Sequence, residues 1–253
     1  MDQLTRDAEA LLDELKPRSP SAAPGQNLLP PQTRFDVQGE TLSTPAWRAG
    51  DGAPTLFVHG WDDTHRIWRR FAMDFIQNGR PALLIDLPAH GASSAETCSW
   101  QFAGQSVLDV CTDQQPIDAI ITHSFGSLAA AAAISEGAQA DYLVMIAPPI
   151  EHWSERQRRK GVPDDVIARA AELLLERKAE DTAPPDLAAL LARFEGQILL
   201  IGSQADESCP APQIEALGAS LGNAETLIVD DLSHRDLALD PAILSQISAF
   251  LGY

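Results

Sequence analysis

An α/β fold, with a mostly parallel central sheet and helices on both faces, is the architecture predicted by this chain of 253 residues. Three observations carry that expectation. Short apolar runs recur at residues 55–58, 82–85, 119–121, 142–146, 198–201 and 226–229. Helical stretches separate them, and strands that alternate with helices pair in parallel and are covered on both faces. With 45% hydrophobic and 21% charged residues, the chain is long and apolar enough to bury one sizeable core.

From the N-terminus, Leu4, Ala8, Leu11, Leu12 and Leu15 recur at helical spacing with acids between them, giving an amphipathic helix that ends before Pro17. Its apolar stripe suits the body of the same chain or a second subunit, so a homo-oligomer through this helix is one expectation. Prolines, serines and a glycine from 17 to 31 read as an extended linker. Residues 1–32 are therefore set apart as an arm. Segments 33–37 and 44–48, with Gly39 between them, read as an antiparallel hairpin opening the sheet. A first part of the core is expected over 33–150. From 151 to 195 charged amphipathic helices break the alternation and suggest a cap over the strand ends. The core resumes over 196–253 and closes with a helix from Pro241. Within the cap, Trp153, Val162, Val166, Leu173, Leu174, Leu187, Leu190 and Leu191 suit an apolar entrance or the packing of the cap itself. The chain shows no internal repeat.

Charge narrows the partners. A net charge of −18 repels nucleic acid phosphates and anionic membranes, and the one dense basic run, Arg156 to Lys160, reads as a solvated helix face. A small-molecule partner is expected instead, with no nucleic acid and no membrane. Cys98, Cys111 and Cys209 are too few for a disulfide framework, and none stands at a metal-ligand spacing from a histidine. No metal is expected, and a reducing cytoplasm fits the cysteines. The start, Met-Asp-Gln, has neither the basic nor the apolar region of a secretory signal. The longest small-apolar stretch, 128–134, falls well short of the roughly 20 residues a bilayer requires.

Reactive groups in open parallel sheets gather past the carboxyl ends of strands. Five of the predicted strands carry such groups. His59-Gly60-Trp61-Asp62 follows Val58, Asp86-Leu87-Pro88-Ala89-His90-Gly91 follows Ile85, Ser124 follows Ile121, Asp206 follows Ile201, and His234 follows Val229. The most informative segment is Ile120-Ile121-Thr122-His123-Ser124-Phe125-Gly126, where an apolar run breaks at a small-residue turn and enters an Ala-rich helix. It reads as a nucleophile elbow, a sharp turn that pushes a serine Oγ toward a base. Gly126 supplies the second glycine of G-x-S-x-G, whereas Thr122 stands where the first belongs. On the residues alone, a serine capping the following helix is the competing reading.

The His-Gly turn, the Asp-x-Pro-x-His-Gly loop, the elbow, Gly202-x-x-x-Asp206-x-x-x-Pro210 and the late Ser233-His234, in that order, resemble the α/β-hydrolase family. The resemblance runs from about residue 33 to the C-terminus. It implies that Ser124 attacks an acyl carbon, that His234 is general base and then general acid, and that Asp206 orients the imidazole. It implies an oxyanion hole from the backbone N–H groups of Trp61 and Phe125, and no metal or organic cofactor. Carboxylic-ester hydrolysis is the leading expectation. Thioester, lactone, amide and carbon–carbon bond cleavage share its intermediates, and a non-catalytic small-molecule-binding module is the alternative of another class.

Each role has rivals. His59 and His90 sit in turns that histidines brace by hydrogen bonds; His65 and His152 are further candidates, and His123 adjoins the serine but is expected to point elsewhere. Glu207 neighbours Asp206, and Glu151 follows an earlier strand where some family members carry the acid. Asp230, Asp231 and Asp236 flank the base and are expected to solvate or fix its loop. Asp86 is read as part of a structural loop rather than a nucleophile.

Overall fold

A computed structural model of the protein describes residues 1–14, 16–18, 33–40, 42–176 and 186–252. The expected linker from 19 onward, Leu15, and residues 177–185 of the expected cap lie outside the described residues. Eight strands make one sheet: β1 (Thr33–Gln38), β2 (Ser43–Ala49), β3 (Thr55–Val58), β4 (Ala82–Ile85), β5 (Ala119–His123), β6 (Tyr142–Ile146), β7 (Gln197–Ser203) and β8 (Ala224–Val229). Their spatial order is β1-β2-β4-β3-β5-β6-β7-β8. The pairs β1/β2 and β2/β4 are antiparallel, and the remaining neighbours are parallel. The expected hairpin forms, with Thr33 opposite Arg48 and Gln38 opposite Ser43.

The helices are α1 (Gln3–Glu14), α2 (Arg69–Gln77), α3 (Trp100–Gln114), α4 (Phe125–Ser135), α5 (Trp153–Arg159), α6 (Asp164–Glu176), α7 (Leu187–Leu191), α8 (Ala211–Ser220) and α9 (Pro241–Phe250). From β3 the chain passes through α2 to β4 on one side, then returns through α3 to β5 on the other. Crossovers leaving in opposite directions open a crevice at the carboxyl ends of β3 and β5, the usual ligand position in such sheets.

Residues of β3, β4 and β5 are all buried, as strands covered on both faces must be. Phe57, Trp68, Phe71 and Phe75 fill one side of the main core, with Phe57 tilted against Trp68 and edge-on to Phe75. On α4 the alanines allow a close helix contact: a Cβ built on Gly104 of α3 would stand 2.5 Å from the Cβ of Ala132.

A second core lies apart from the first. Ala8, Leu11 and Leu12 of α1 pack on Val166, Ile167, Ala170 and Leu173 of α6, with Trp153, Val162 and Leu174 at the margin. The N-terminal stripe is therefore taken up within the same chain, and much of the expected apolar entrance faces α1. Helix α7 sends Leu187 and Leu191 into the main core instead. No helix among the described residues is long and apolar enough to cross a membrane.

Candidate active site

Ser124 follows β5 directly and adopts φ 50°, ψ −123°. A side chain in that left-handed region costs of order 1–3 kcal/mol and persists only where surrounding structure imposes it. Here the Ser124 N–H donates to the Ile146 carbonyl at 2.8 Å, and α4 begins at the next residue. The serine side chain makes no capping hydrogen bond, so the competing helix-cap reading does not hold. Among the described residues, Asp62, Ala89, Ser124 and Ala147 are the non-glycine residues with positive φ, and each lies just past the carboxyl end of a parallel strand.

The departure at Thr122 has a physical account. Its hydroxyl donates to the Val144 carbonyl at 3.0 Å and accepts from Ser127 Oγ at 2.8 Å, so the side chain fits where the motif has glycine. No such room exists at Gly126, where a Cβ would lie 2.6 and 2.7 Å from the carbonyl oxygens of His59 and Val58.

Asp206 and His234 come together from the loops after β7 and β8. His234 Nδ1 donates to Asp206 Oδ2 at 2.7 Å, which in the neutral ring leaves the Nε2 lone pair free to accept a proton. The other carboxylate oxygen takes the N–H groups of Ser208 (2.8 Å) and Cys209 (3.1 Å). Burial pushes the Asp206 pKa up, but the His234 hydrogen bond and charge and the two N–H donors outweigh it and hold the group below its ordinary value. The rival acid Glu151 is engaged elsewhere, paired with Arg159 at 2.5 Å, whereas it is Asp206, not its neighbour Glu207, that bonds His234. No hydrogen bond joins Ser124 to His234 among the described residues.

His123 does not point away from this group, as its neighbour's role suggested. Its Nε2–H donates to the main-chain carbonyl of His234 at 3.0 Å, and its buried Nδ1 has no hydrogen-bond partner. Burial and the adjacent His234 push its pKa down to about 4, which keeps it neutral. A second brace lies beside it: Arg235 binds the Asp63 carboxylate through Nη2 (2.8 Å) and Nε (3.2 Å). Sequence reasoning missed both braces, although adjacency of Arg235 to His234 was a usable signal.

The turn after β3 is held by its histidines. His59 Nδ1–H donates to the Gly60 carbonyl and Nε2 accepts from the Leu87 N–H, while burial lowers its pKa to about 4. His90 links Pro88 to the Asp62 N–H in the same way. Asp86 accepts from the N–H and Nδ1 of His65 and from the Ala92 N–H, the structural role expected of it. Gly60 seats this turn on the elbow; a Cβ there would stand 3.0 Å from His123 Nδ1 and 3.1 Å from Ser124 Cβ. The rings of Trp61 and Phe125 meet edge-on at 4.7 Å, so the two expected oxyanion residues are neighbours. As the first residue of α4, Phe125 has an N–H beyond reach of its own helix's carbonyls.

Past α1, the Arg18 N–H donates to Asp62 at 2.6 Å and fastens the chain to this turn. One wide surface cleft is lined by Ile117, Tyr142 and Gln197, at the amino ends of β5, β6 and β7 and so across the sheet from the serine.

Comparison with known proteins agrees with this fold. Residues 55–246 match the model of the alpha/beta hydrolase family. No curated protein matches the sequence. Among solved structures, the Pyrococcus furiosus esterase Pf2001 is 18% identical, with a TM-score of 0.71, covering 94% of this chain and 98% of that one. A thermophilic esterase from Thermogutta terrifontis is 16% identical, with a TM-score of 0.66, covering 88% and 98%. An esterase from Exiguobacterium antarcticum is 13% identical, with a TM-score of 0.69, covering 87% and 100%. With the serine turn, the strand order and the matched span in agreement, the chain belongs to the alpha/beta hydrolase family.

Proposed function

We propose that the protein is a serine hydrolase that cleaves a carboxylic ester of a small, partly apolar substrate. The observation that carries this reading is the strained backbone of Ser124, φ 50° with no capping bond, beside the Asp206–His234 pair. A helix start has no need of a strained, uncapped serine, whereas a nucleophile aimed out of a turn does.

In this mechanism His234 Nε2 takes the Ser124 hydroxyl proton as Oγ attacks the ester carbonyl. Asp206 keeps the other ring proton on Nδ1 and stabilises the imidazolium that forms. The Trp61 and Phe125 N–H groups receive the oxyanion, aided by the positive end of α4. Collapse of the tetrahedral intermediate expels the alcohol, which takes the proton from His234. Water, deprotonated by the same imidazole, then attacks the acyl-enzyme and releases the acid. The Ser124–His234 hydrogen bond closes on substrate binding, as catalytic hydrogen bonds often do. The free thiols of Cys98, Cys111 and Cys209 suit work in the reducing cytoplasm.

The test is to incubate wild type and Ser124→Ala with a fluorophosphonate probe and a panel of short p-nitrophenyl esters. Adduct mass and hydrolysis, both present in wild type and both lost in the variant, are the expected result. No labelling and no turnover in either protein would replace the esterase with a small-molecule-binding module.

A further inference from the structure

We infer that Asp206, Cys209 and His234 form a site for a borderline-soft divalent cation of the zinc type, and that occupying it switches the enzyme off. The inhibitory half of this inference rests on the esterase reading; the site itself does not.

The sequence places no cysteine at a ligand spacing from a histidine, yet the fold does. The loop after β7 turns back through Ser208 and Cys209, whose N–H groups both bind Asp206 Oδ1, while β8 delivers His234 to the other carboxylate oxygen. As a result one carboxylate oxygen, the Cys209 sulfur and a His234 ring nitrogen all lie within 4.8 Å of one another. Asp206 and Cys209 are buried, and His234 is half-buried at the edge. Among the described residues this is the one such cluster of three.

The donor set suits zinc. Zinc binds thiolate at about 2.3 Å, imidazole at about 2.0–2.1 Å and carboxylate at about 2.0–2.2 Å, so neighbouring donors around it stand between roughly 3 and 4 Å apart. The Asp206–His234 contact at 2.7 Å has only to open slightly to admit an ion with donors at these separations. Sulfur and imidazole nitrogen disfavour magnesium and calcium, which take oxygen ligands. Three protein donors leave one coordination position for water.

Charge explains why a buried site tolerates the ion. In a buried site such as that of Cys209 the neutral thiol is preferred. A dication brought beside it reverses that preference. The thiol proton leaves to solvent, and dication, carboxylate and thiolate sum to zero. The consequence for His234 is tautomeric: once Nδ1 binds the metal, the proton of the neutral ring moves to Nε2. That nitrogen then cannot take the proton of Ser124.

The test is titration of the full-length protein with Co²⁺, read by the thiolate-to-cobalt charge-transfer band, followed by displacement with Zn²⁺ and by ester hydrolysis in Zn²⁺, Mg²⁺ or Ca²⁺. A band that saturates at one equivalent, vanishes in Cys209→Ser and Cys209→Ala, and is displaced by Zn²⁺ is expected. Zn²⁺ inhibition should weaken at least about tenfold in either variant, since even outer-shell losses cost that much, while Mg²⁺ and Ca²⁺ leave hydrolysis unaffected. Absence of the band in wild type overturns the site whatever the variants do, and a band that persists without Cys209 assigns the metal elsewhere. The band requires no substrate. Its absence in a protein that hydrolyses esters therefore sinks the metal site alone, and its presence in one that hydrolyses none sinks the esterase reading alone.

Discussion

His123 holds His234 by its main chain: the imidazole Nε2–H of one donates to the carbonyl of the other at 3.0 Å, with the rings 4.8 Å apart. The residue before the serine thus fixes the loop that carries the proposed base. Elbow and base loop are coupled by a buried donor that is neutral and has one partner.

Removing that donor should affect turnover more than binding. An unpaired carbonyl costs about 1–3 kcal/mol, so His123→Phe should lower kcat roughly tenfold to a hundredfold with KM little changed. His123→Gln, which keeps an N–H donor, should restore most of the rate. Steady-state kinetics on a p-nitrophenyl ester, with the melting midpoint as a control for folding, decide the matter. Equal losses in Phe and Gln variants, or a change confined to KM, would remove His123 from this role.

Ser124→Ala and His234→Ala should each lower kcat by at least about a thousandfold, with the double variant hardly worse, because such groups act as one unit. Asp206→Asn should lose less. Multiplying losses in the double variant would show that the two residues act independently, and full activity in Asp206→Asn would move the acid elsewhere.

Acid should destabilise the fold before its carboxylates titrate. His59 and His123 have pKa values near 4 when folded, against an ordinary 6.5. Between these values the unfolded chain binds more protons, so stability falls as pH drops below 6.5, and the loss is complete below about 4. Each shift corresponds to roughly 3 kcal/mol. Asp86 and Asp206, held below their ordinary values, add a further loss as pH falls through their folded values. Urea midpoints measured from pH 7 to pH 4 test this, and a flat profile contradicts it.

The core of this design was legible in the sequence because it depends on period and order. Apolar runs gave the strands, and the order of Ser124, Asp206 and His234 along successive strand ends gave the candidate site. What stayed hidden depends on geometry between loops. Nothing in the spacing of Cys209 and His234 shows that β7 and β8 pair in register and bring them together. His123 was misjudged because strand alternation says which side a residue faces, not what the neighbouring loop offers it. The hydroxyl partners that accommodate Thr122, Ser127 Oγ and the Val144 carbonyl, likewise come from pairing with β6 and from α4.

Gly126→Ala should be costly and Gly222→Ala close to neutral. At 126 the new methyl meets two backbone carbonyls that cannot rotate away, for about 1–3 kcal/mol, whereas nothing lies within 4 Å at 222. Chemical denaturation of both variants checks this, and equal midpoints would show that the elbow yields more easily than its contacts suggest.

Leu12→Asp should loosen the second core and spare the first. Leu12 is buried only against α6 and its neighbours, so a carboxylate there exposes α1 and α6 without touching β3–β6. Amide exchange should quicken across α1 and α6 and stay slow in the central strands. Uniform acceleration would mean that the two cores unfold as one.

The second core also sets an order of events at the ribosome. Helix α1 is synthesised before α6, the surface that covers its leucines, which emerges only after β1 to β6. Until α6 emerges, α1 is an amphipathic helix without its cover. Because the chain past α1 is fastened to Asp62 beside the serine turn, docking of α1 on α6 also brings Arg18 to the surroundings of the elbow. A product cut short before α6 leaves those leucines without their cover.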